Sequence, residues 1–192
     1  DRAAFVVADG QPLVWVAPVF GTSLPSRVAG VDLLYALSRR AAREQLSVGL
    51  LGATQRVVEA VGERLVEMYP ALRMSYVGDG YFSADEAPER ARAIREAGTD
   101  ILFVGMGVPR QEAFIDEQWS RLGVKLAIGV GGSFDVLAGL RVRAPQILQR
   151  SGMEWAFRLA QEPRRLWKRY LVTNSSFVYL VGRQLFRRKP NE

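Results

Sequence analysis

The chain has 192 residues, 48% of them apolar, a size and balance that fit one domain with a full core and exclude disorder. It holds no cysteine and no histidine, which excludes disulfides, thiolate nucleophiles and imidazole-bound zinc, leaves only oxygen ligands for a metal, and restricts a general base to Asp, Glu, Lys or Tyr. The net charge of +6 is uneven: from Arg141 onward twelve Lys and Arg stand against three Asp and Glu, a net of +9, whereas residues 1–140 hold fourteen against seventeen, a net of −3.

Short apolar runs alternate with helical patterns over the first 130 residues. "AAFVV" (3–7) reads as a buried strand. "GVDLLYALSRRAAREQ" reads as a helix and "LSVGLL" (46–51) as the next strand. In "TQRVVEAVGERLVEMY", Val57, Val58, Val61, Leu65 and Met68 recur at helical spacing behind Thr54 as N-cap. "RMSYVG" (73–78) is a strand; "SADEAPERARAIREAG" is a helix capped by Ser83 or Asp85 and stopped at Gly98. "ILFVG" (101–105) is a strand, "VPRQEAFIDEQWSRLG" a helix with Pro109 near its first turn, and "KLAIGV" (125–130) the last strand. Strand and helix in alternation predict an α/β fold, a Rossmann-like parallel sheet covered on both faces.

After Gly139 the strand signal stops. The rest reads as two or three helices broken near Gly152, Pro163 and Asn174, a basic C-terminal helical appendage. The expected division is an α/β catalytic domain over 1–140 and a membrane-associating appendage over 141–192. A basic tail calls for a polyanionic partner: nucleic acid, an anionic membrane face or a diphosphate substrate; a merely solvated surface is the plain alternative. The last helix sets Phe177, Leu180, Val181, Leu185 and Phe186 against Arg183, Arg187, Arg188 and Lys189, a membrane-surface pattern whose apolar side can also bury against a second copy of the chain. No stretch reaches the ~20 apolar residues of a spanning helix, and no signal-peptide pattern opens the chain.

Ligands of an open parallel sheet bind at the carboxyl ends of its strands. The predicted strand ends carry Asp9-Gly10, then Gly49 and Gly52 with Thr54 at a helix start, then Gly105-Met106-Gly107 leading into Pro109, Arg110, Gln111 and Glu112, then Gly129, Gly131 and Gly132 with Asp135. Each alone fits an ordinary turn. Together they put glycines and polar groups on one rim, which favours a binding cleft. Amides and the helix dipole near Thr54 suit a phosphate. Arg110 and Glu112 read as a surface ion pair rather than ligand contacts. In the tail, Arg158, Arg165 and Arg169 either converge on phosphates or cover buried Trp155 and Leu159 as a basic surface.

The stretches "ADGQPLVW", "RVAGVDLL", "GYF", "VGMGVPRQE", "GVGGSFDVLAG", "RAP", "MEWAFRL" and "EPRRLWKRY" stand in the order and spacing of the WecG/TagA/CpsF glycosyltransferases, glycosyltransferase family twenty-six, which the chain resembles over nearly its whole length. The resemblance implies an enzyme that transfers a sugar, typically N-acetylmannosamine, from its UDP donor to a polyprenyl-diphosphate-linked sugar in surface polysaccharide synthesis. It implies inversion, no cofactor and no metal, and a cytoplasmic protein held peripherally at the inner face of the bacterial plasma membrane. Asp9 matches the family's catalytic aspartate, and Arg27 and Gln111 match residues of substrate binding or catalysis. Some of Arg158, Arg164, Arg165 and Arg169 match arginines that the C-terminal element lends to the site. The family carries an earlier strand-bearing segment, so this chain is expected either to lack its first strand or to be truncated.

These residue types suit the chemistry. A half-buried Asp9 with a raised pKa takes the acceptor's proton, while the amides at Gly52 to Thr54 and the tail arginines steady the departing diphosphate. Two rivals make different demands. A nicotinamide-dependent oxidoreductase needs a G-x-G-x-x-G turn after the first strand, which is missing here. A non-enzymatic nucleic-acid-binding or nucleotide-binding protein requires steep salt dependence and indifference to UDP. The resemblance implies no nucleic-acid partner.

Overall fold

The structure, a computed structural model, describes residues 3–187, the side chains of Arg150, Arg165, Arg169 and Arg187 excepted. In chain order the elements are α1 (Gln11–Val16) with a 3-10 turn after it (Ala17–Phe20), α2 (Gly30–Glu44), β1 (Ser47–Gly52), α3 (Gln55–Met68), β2 (Arg73–Gly78), α4 (Ala87–Glu96), β3 (Ile101–Gly105), α5 (Arg110–Leu122), β4 (Leu126–Gly129), α6 (Ser133–Leu137), α7 (Gln146–Arg150), α8 (Glu154–Gln161) and α9 (Pro163–Arg187). They form two compact units. One is Val28–Val142 with the segment before Val7; the other is Val7–Arg27 with the chain from Arg143 onward.

The first unit is an α/β layer built on a four-stranded sheet of order β2-β1-β3-β4, with every pair parallel. Alternation along the strands decides what each face buries. Val48, Leu50, Ile101 and Phe103 pack with Leu34 of α2, Val58, Val61 and Leu65 of α3, and Phe134 and Leu137 of α6. Leu51, Leu102 and Val104 face the other way, onto Ala91 and Ile94 of α4 and Phe114 and Leu122 of α5. Both faces are covered, so β1 is buried at every residue and reads as continuous apolar sequence. Caps follow the sequence: Thr54 N-caps α3, Ser83 and Glu86 form a capping box before α4, and Gly123 ends α5 in the left-handed region. At the opposite, amino-terminal edge of the sheet, Asp100 accepts from the Ser47 amide at 2.8 Å and pairs with Lys125 at 2.8 Å, tying β1, β3 and β4 together.

The second unit is helical. Gly152, buried and at φ +67°, turns the chain from α7 into α8 against the ring of Trp15 from α1; a Cβ there would lie 2.5 Å from the ring. Trp155 of α8 meets Tyr170 of α9 edge to face at 5.9 Å, and Leu166 is buried beside them in sequence.

Two expectations fail here. Residues 3–7 form no strand: Phe5, Val6 and Val7 are 86%, 79% and 50% exposed. Apolar character fits a residue to a pleated surface but does not supply a neighbouring strand. The tail does break at Gly152 and Pro163, but α9 runs on through Asn174 for 25 residues. An Asn or Ser inside a helix costs only about 0.5 kcal/mol, less than the unpaired amides and carbonyls that a break exposes.

Candidate functional site

The order β2-β1-β3-β4 reverses direction between β1 and β3, so the crevice of this sheet opens at the carboxyl ends of those two strands. There Gly52 and Gly105 are register partners. Gly52 sits at φ +146°, and a Cβ on it would lie 2.5 Å from the Gly105 carbonyl carbon. Gly80, from the loop after β2, approaches as closely: its Cβ would fall 2.9 Å from the Gly52 Cα. Three rim loops thus meet backbone to backbone, and hydrogen bonds lace them. The Ala53 amide donates to Gly105 O at 3.1 Å, the Gly80 amide donates to Ala53 O at 2.9 Å, and Arg110 Nη2 donates to Gly80 O at 3.1 Å.

Gln111 carries the lacing to the fourth strand. It is 3% exposed, in the first turn of α5 behind the cis Val108–Pro109 peptide. Its Oε1 accepts from the Gly107 amide at 3.2 Å and the Gly131 amide at 3.0 Å, and its Nε2 donates to Glu112 Oε1 at 2.8 Å. Gly129 lacks a Cβ where the Gln111 amide lies, and Gly105 lacks one where Phe134 packs: a Cβ there would stand only 2.6 Å from the ring. Several rim glycines therefore serve close packing as well as the cleft. Thr54 caps α3 through its backbone, which leaves its side chain exposed at the rim. Gly132 precedes α6, and Asp135 within it pairs with Arg141 at 2.9 Å. Tyr81 and Val108, 70% and 72% exposed, stand beside Gly80 and Gly107 in the rim loops; the reading from sequence rested on glycines, amides and charged groups and gave neither a role.

Some details depart from expectation. Arg110 and Glu112 make no ion pair: positions two apart lie on different sides of a helix, and each turns to the partner just named. The Ala53 amide, expected to face a phosphate, is turned inward to Gly105.

The second unit collects the other candidates. Asp9 and Gly10 stand at the entrance of α1, not at a strand end, with the Leu13 amide on Gly10 O at 3.1 Å. Asp9 is exposed rather than half-buried. Arg27 and Glu154, 127 residues apart, meet at 2.5 Å, and Arg158, one turn along α8, reaches the other oxygen of the same carboxylate at 2.6 Å. Burial alone would push the Glu154 carboxyl up, but the Arg27 hydrogen bond and the Arg158 charge outweigh it and hold it below its ordinary value. Arg165 and Arg169 lie in α9 with side chains outside the described ones. Sequence reading named both arginines and missed Glu154; the i,i+4 spacing from Glu154 to Arg158 was the one local signal. Among the described residues no cluster of His, Cys, Asp and Glu is arranged to hold a metal ion.

Residues 1–191 match the model of the glycosyl transferase WecG/TagA/CpsF family. The chain belongs to this family. Among its WecG/TagA/CpsF relatives is a protein of Bacillus spizizenii named N-acetylglucosaminyldiphosphoundecaprenol N-acetyl-beta-D-mannosaminyltransferase, 36% identical over 191 residues, 100% of this chain and 73% of the relative. Proteins of the same name from Bacillus subtilis and Staphylococcus aureus are 34% and 33% identical, over 87% and 95% of this chain and 64% and 70% of their own lengths. As a member of this family the chain is a glycosyltransferase.

Proposed function

We propose that the chain moves N-acetylmannosamine, or a closely related hexose, from a UDP donor to a sugar carried on polyprenyl diphosphate, with inversion at the anomeric carbon. The observation that carries this reading is the 36% identity over 191 residues with a relative whose name gives both the sugar transferred and the lipid-linked acceptor. A β-linked product from an α-linked nucleotide sugar requires one displacement with inversion. Asp9 removes the proton of the acceptor hydroxyl, the new glycosidic C–O bond forms, and the bond from the anomeric carbon to the diphosphate oxygen breaks with its electron pair leaving on UDP. Exposure of Asp9 suits a base that must be reached by an incoming acceptor. The departing diphosphate needs a cation, and Arg158, half-exposed and tied through Glu154 to the enclosed Arg27, stands ready to supply one. Gln111 contributes by holding the glycine rim in one shape.

The acceptor's lipid calls for work at a membrane surface, and we place the enzyme on the cytoplasmic face. Among the described residues no helix is long and apolar enough to cross a membrane. α9 instead exposes Trp167, Leu171, Val172, Val178 and Leu180 along with Lys168 and Arg183, a composition suited to lying in an anionic interface.

The test is transfer from a panel of UDP-hexoses to a synthetic N-acetylglucosaminyl-diphosphoryl-polyprenol. Transfer from UDP-N-acetylmannosamine is expected, with Asp9→Asn lowering turnover by about 10²–10⁴-fold at nearly unchanged UDP affinity. Parental turnover in Asp9→Asn removes Asp9 from the base role, and absence of transfer from every donor rejects the activity.

A further inference from the structure

A buried carboxylate shared between two guanidiniums is a costly arrangement unless it does something. Glu154 is 9% exposed at the first turn of α8, and the side chains of Arg27 and Glu154 are each only 12% exposed. Buried ion pairs add little net stability, because desolvation consumes most of the Coulomb gain, and an apolar contact would hold the segments together as well. What an apolar contact cannot do is fix the separation of two like charges. Left alone, Arg27 and Arg158 would repel and sample separate rotamers; with one oxygen bound to each, both are held to the same point. The two are also unequal. Arg27 is enclosed, whereas the Arg158 side chain is 51% exposed.

Resting on the transfer reaction proposed above, we infer that Glu154 is a positioning residue: its carboxylate anchors Arg158 on Arg27 and aims the Arg158 guanidinium at the diphosphate of the donor and of the departing nucleotide. Arg27 is the fixed post, Glu154 the link and Arg158 the contact. The triad keeps a net charge of +1, enough to attract a diphosphate while the enclosed guanidinium stays paired.

Titration calorimetry of the full chain with inorganic pyrophosphate and with UDP, beside steady-state transfer kinetics, tests this on Glu154→Gln, Glu154→Asp and Arg158→Ala. Charge counting alone makes Glu154→Gln the tighter anion binder, since a negative charge beside two cations is lost. Positioning requires the opposite sign. Pyrophosphate and UDP affinity are expected to fall about tenfold and kcat about 10–100-fold, with KM for the lipid-linked acceptor unchanged and partial recovery in Glu154→Asp. A folded Glu154→Gln that binds pyrophosphate as tightly as the parent, or more tightly, overturns the inference, as does a melting-point loss with kcat retained. If Glu154→Gln does not fold, the other two variants decide: tenfold loss in Arg158→Ala with an intermediate loss in Glu154→Asp supports the assignment, and parental affinity in both overturns it. A parent that binds pyrophosphate and transfers no sugar rejects the proposed activity instead, and the binding arms still judge Glu154.

Discussion

Replacing Gln111 by leucine keeps the volume of the side chain and removes every hydrogen bond it makes. The Gly107 and Gly131 amides lose their common acceptor, and Glu112 loses a donor. A buried donor left without a partner costs about 1–3 kcal/mol. Both glycines are part-buried, so water can satisfy them in part; about 1 kcal/mol for each, with a fraction more for Glu112, gives a loss of about 2–3 kcal/mol. At about 2–4 °C per kcal/mol for a chain of this size, the first unit should melt about 5–10 °C lower. Thermal melting followed by circular dichroism reads the first quantity. Amide hydrogen exchange at Gly107 and Gly131 reads the cause, because only those protons are freed directly. Gln111→Glu is the control: it keeps acceptor oxygens for both amides, sets a like charge beside Glu112, and should fall between parent and leucine variant. A Gln111→Leu protein that melts within about 2 °C of the parent, with both amides exchanging at parental rates, refutes the view that this side chain holds the rim.

Other perturbations have similarly definite outcomes. Gly52→Ala drives a Cβ into the Gly105 carbonyl at a φ of +146° and should lower stability in urea by about 2–3 kcal/mol, whereas Gly107→Ala, at φ +79° with open space around it, should cost about 1 kcal/mol. The Lys125 contact, and after it the Ser47 amide, hold the Asp100 carboxyl at about 2 instead of its usual 3.8. Its folded pKa being the lower one, the stabilisation is complete above about pH 4 and is lost as pH falls toward 2; solvent screening reduces the effect to about 1 kcal/mol, to be read as the melting-point slope that Asp100→Asn removes. Co-sedimentation with vesicles containing anionic lipid should be strong at low salt and weak at about 0.5 M, and Leu171→Glu with Leu180→Glu should abolish it; unchanged binding in that double variant would show that α9 is not the membrane-facing element.

Much of the fold was legible because its period is regular. The apolar spacing of Val58, Val61 and Leu65, with a cap before and a stop after, specifies a helix wherever it is placed, and the runs ending in Gly52 and Gly105 are short, continuous and apolar because both faces of the sheet are covered. "AAFVV" has the same composition, but strand formation there depends on a partner that no local pattern encodes. The rim glycines were legible as a group, while their hydrogen bonds were not: that Ala53 points inward to Gly105 and that Gln111 reaches Gly131, 20 residues on, depends on contacts between separate loops. Glu154 was hidden for the same reason, since its decisive partner lies 127 residues upstream.

A crevice floor made of main chain has a consequence for change over generations and in the laboratory. Amide dipoles at Gly52, Gly80, Gly105 and Gly107 are identical whatever the neighbouring codons become, and adding any side chain at Gly52 or Gly80 collides with the facing loop. If the donor lies on this rim, as proposed, preference for one sugar or base over another has no knob among these glycines. On that proposal the adjustable positions are the exposed side chains beside the rim glycines, Tyr81 and Val108 foremost, so libraries aimed at new donors should randomise those two and leave the glycines untouched.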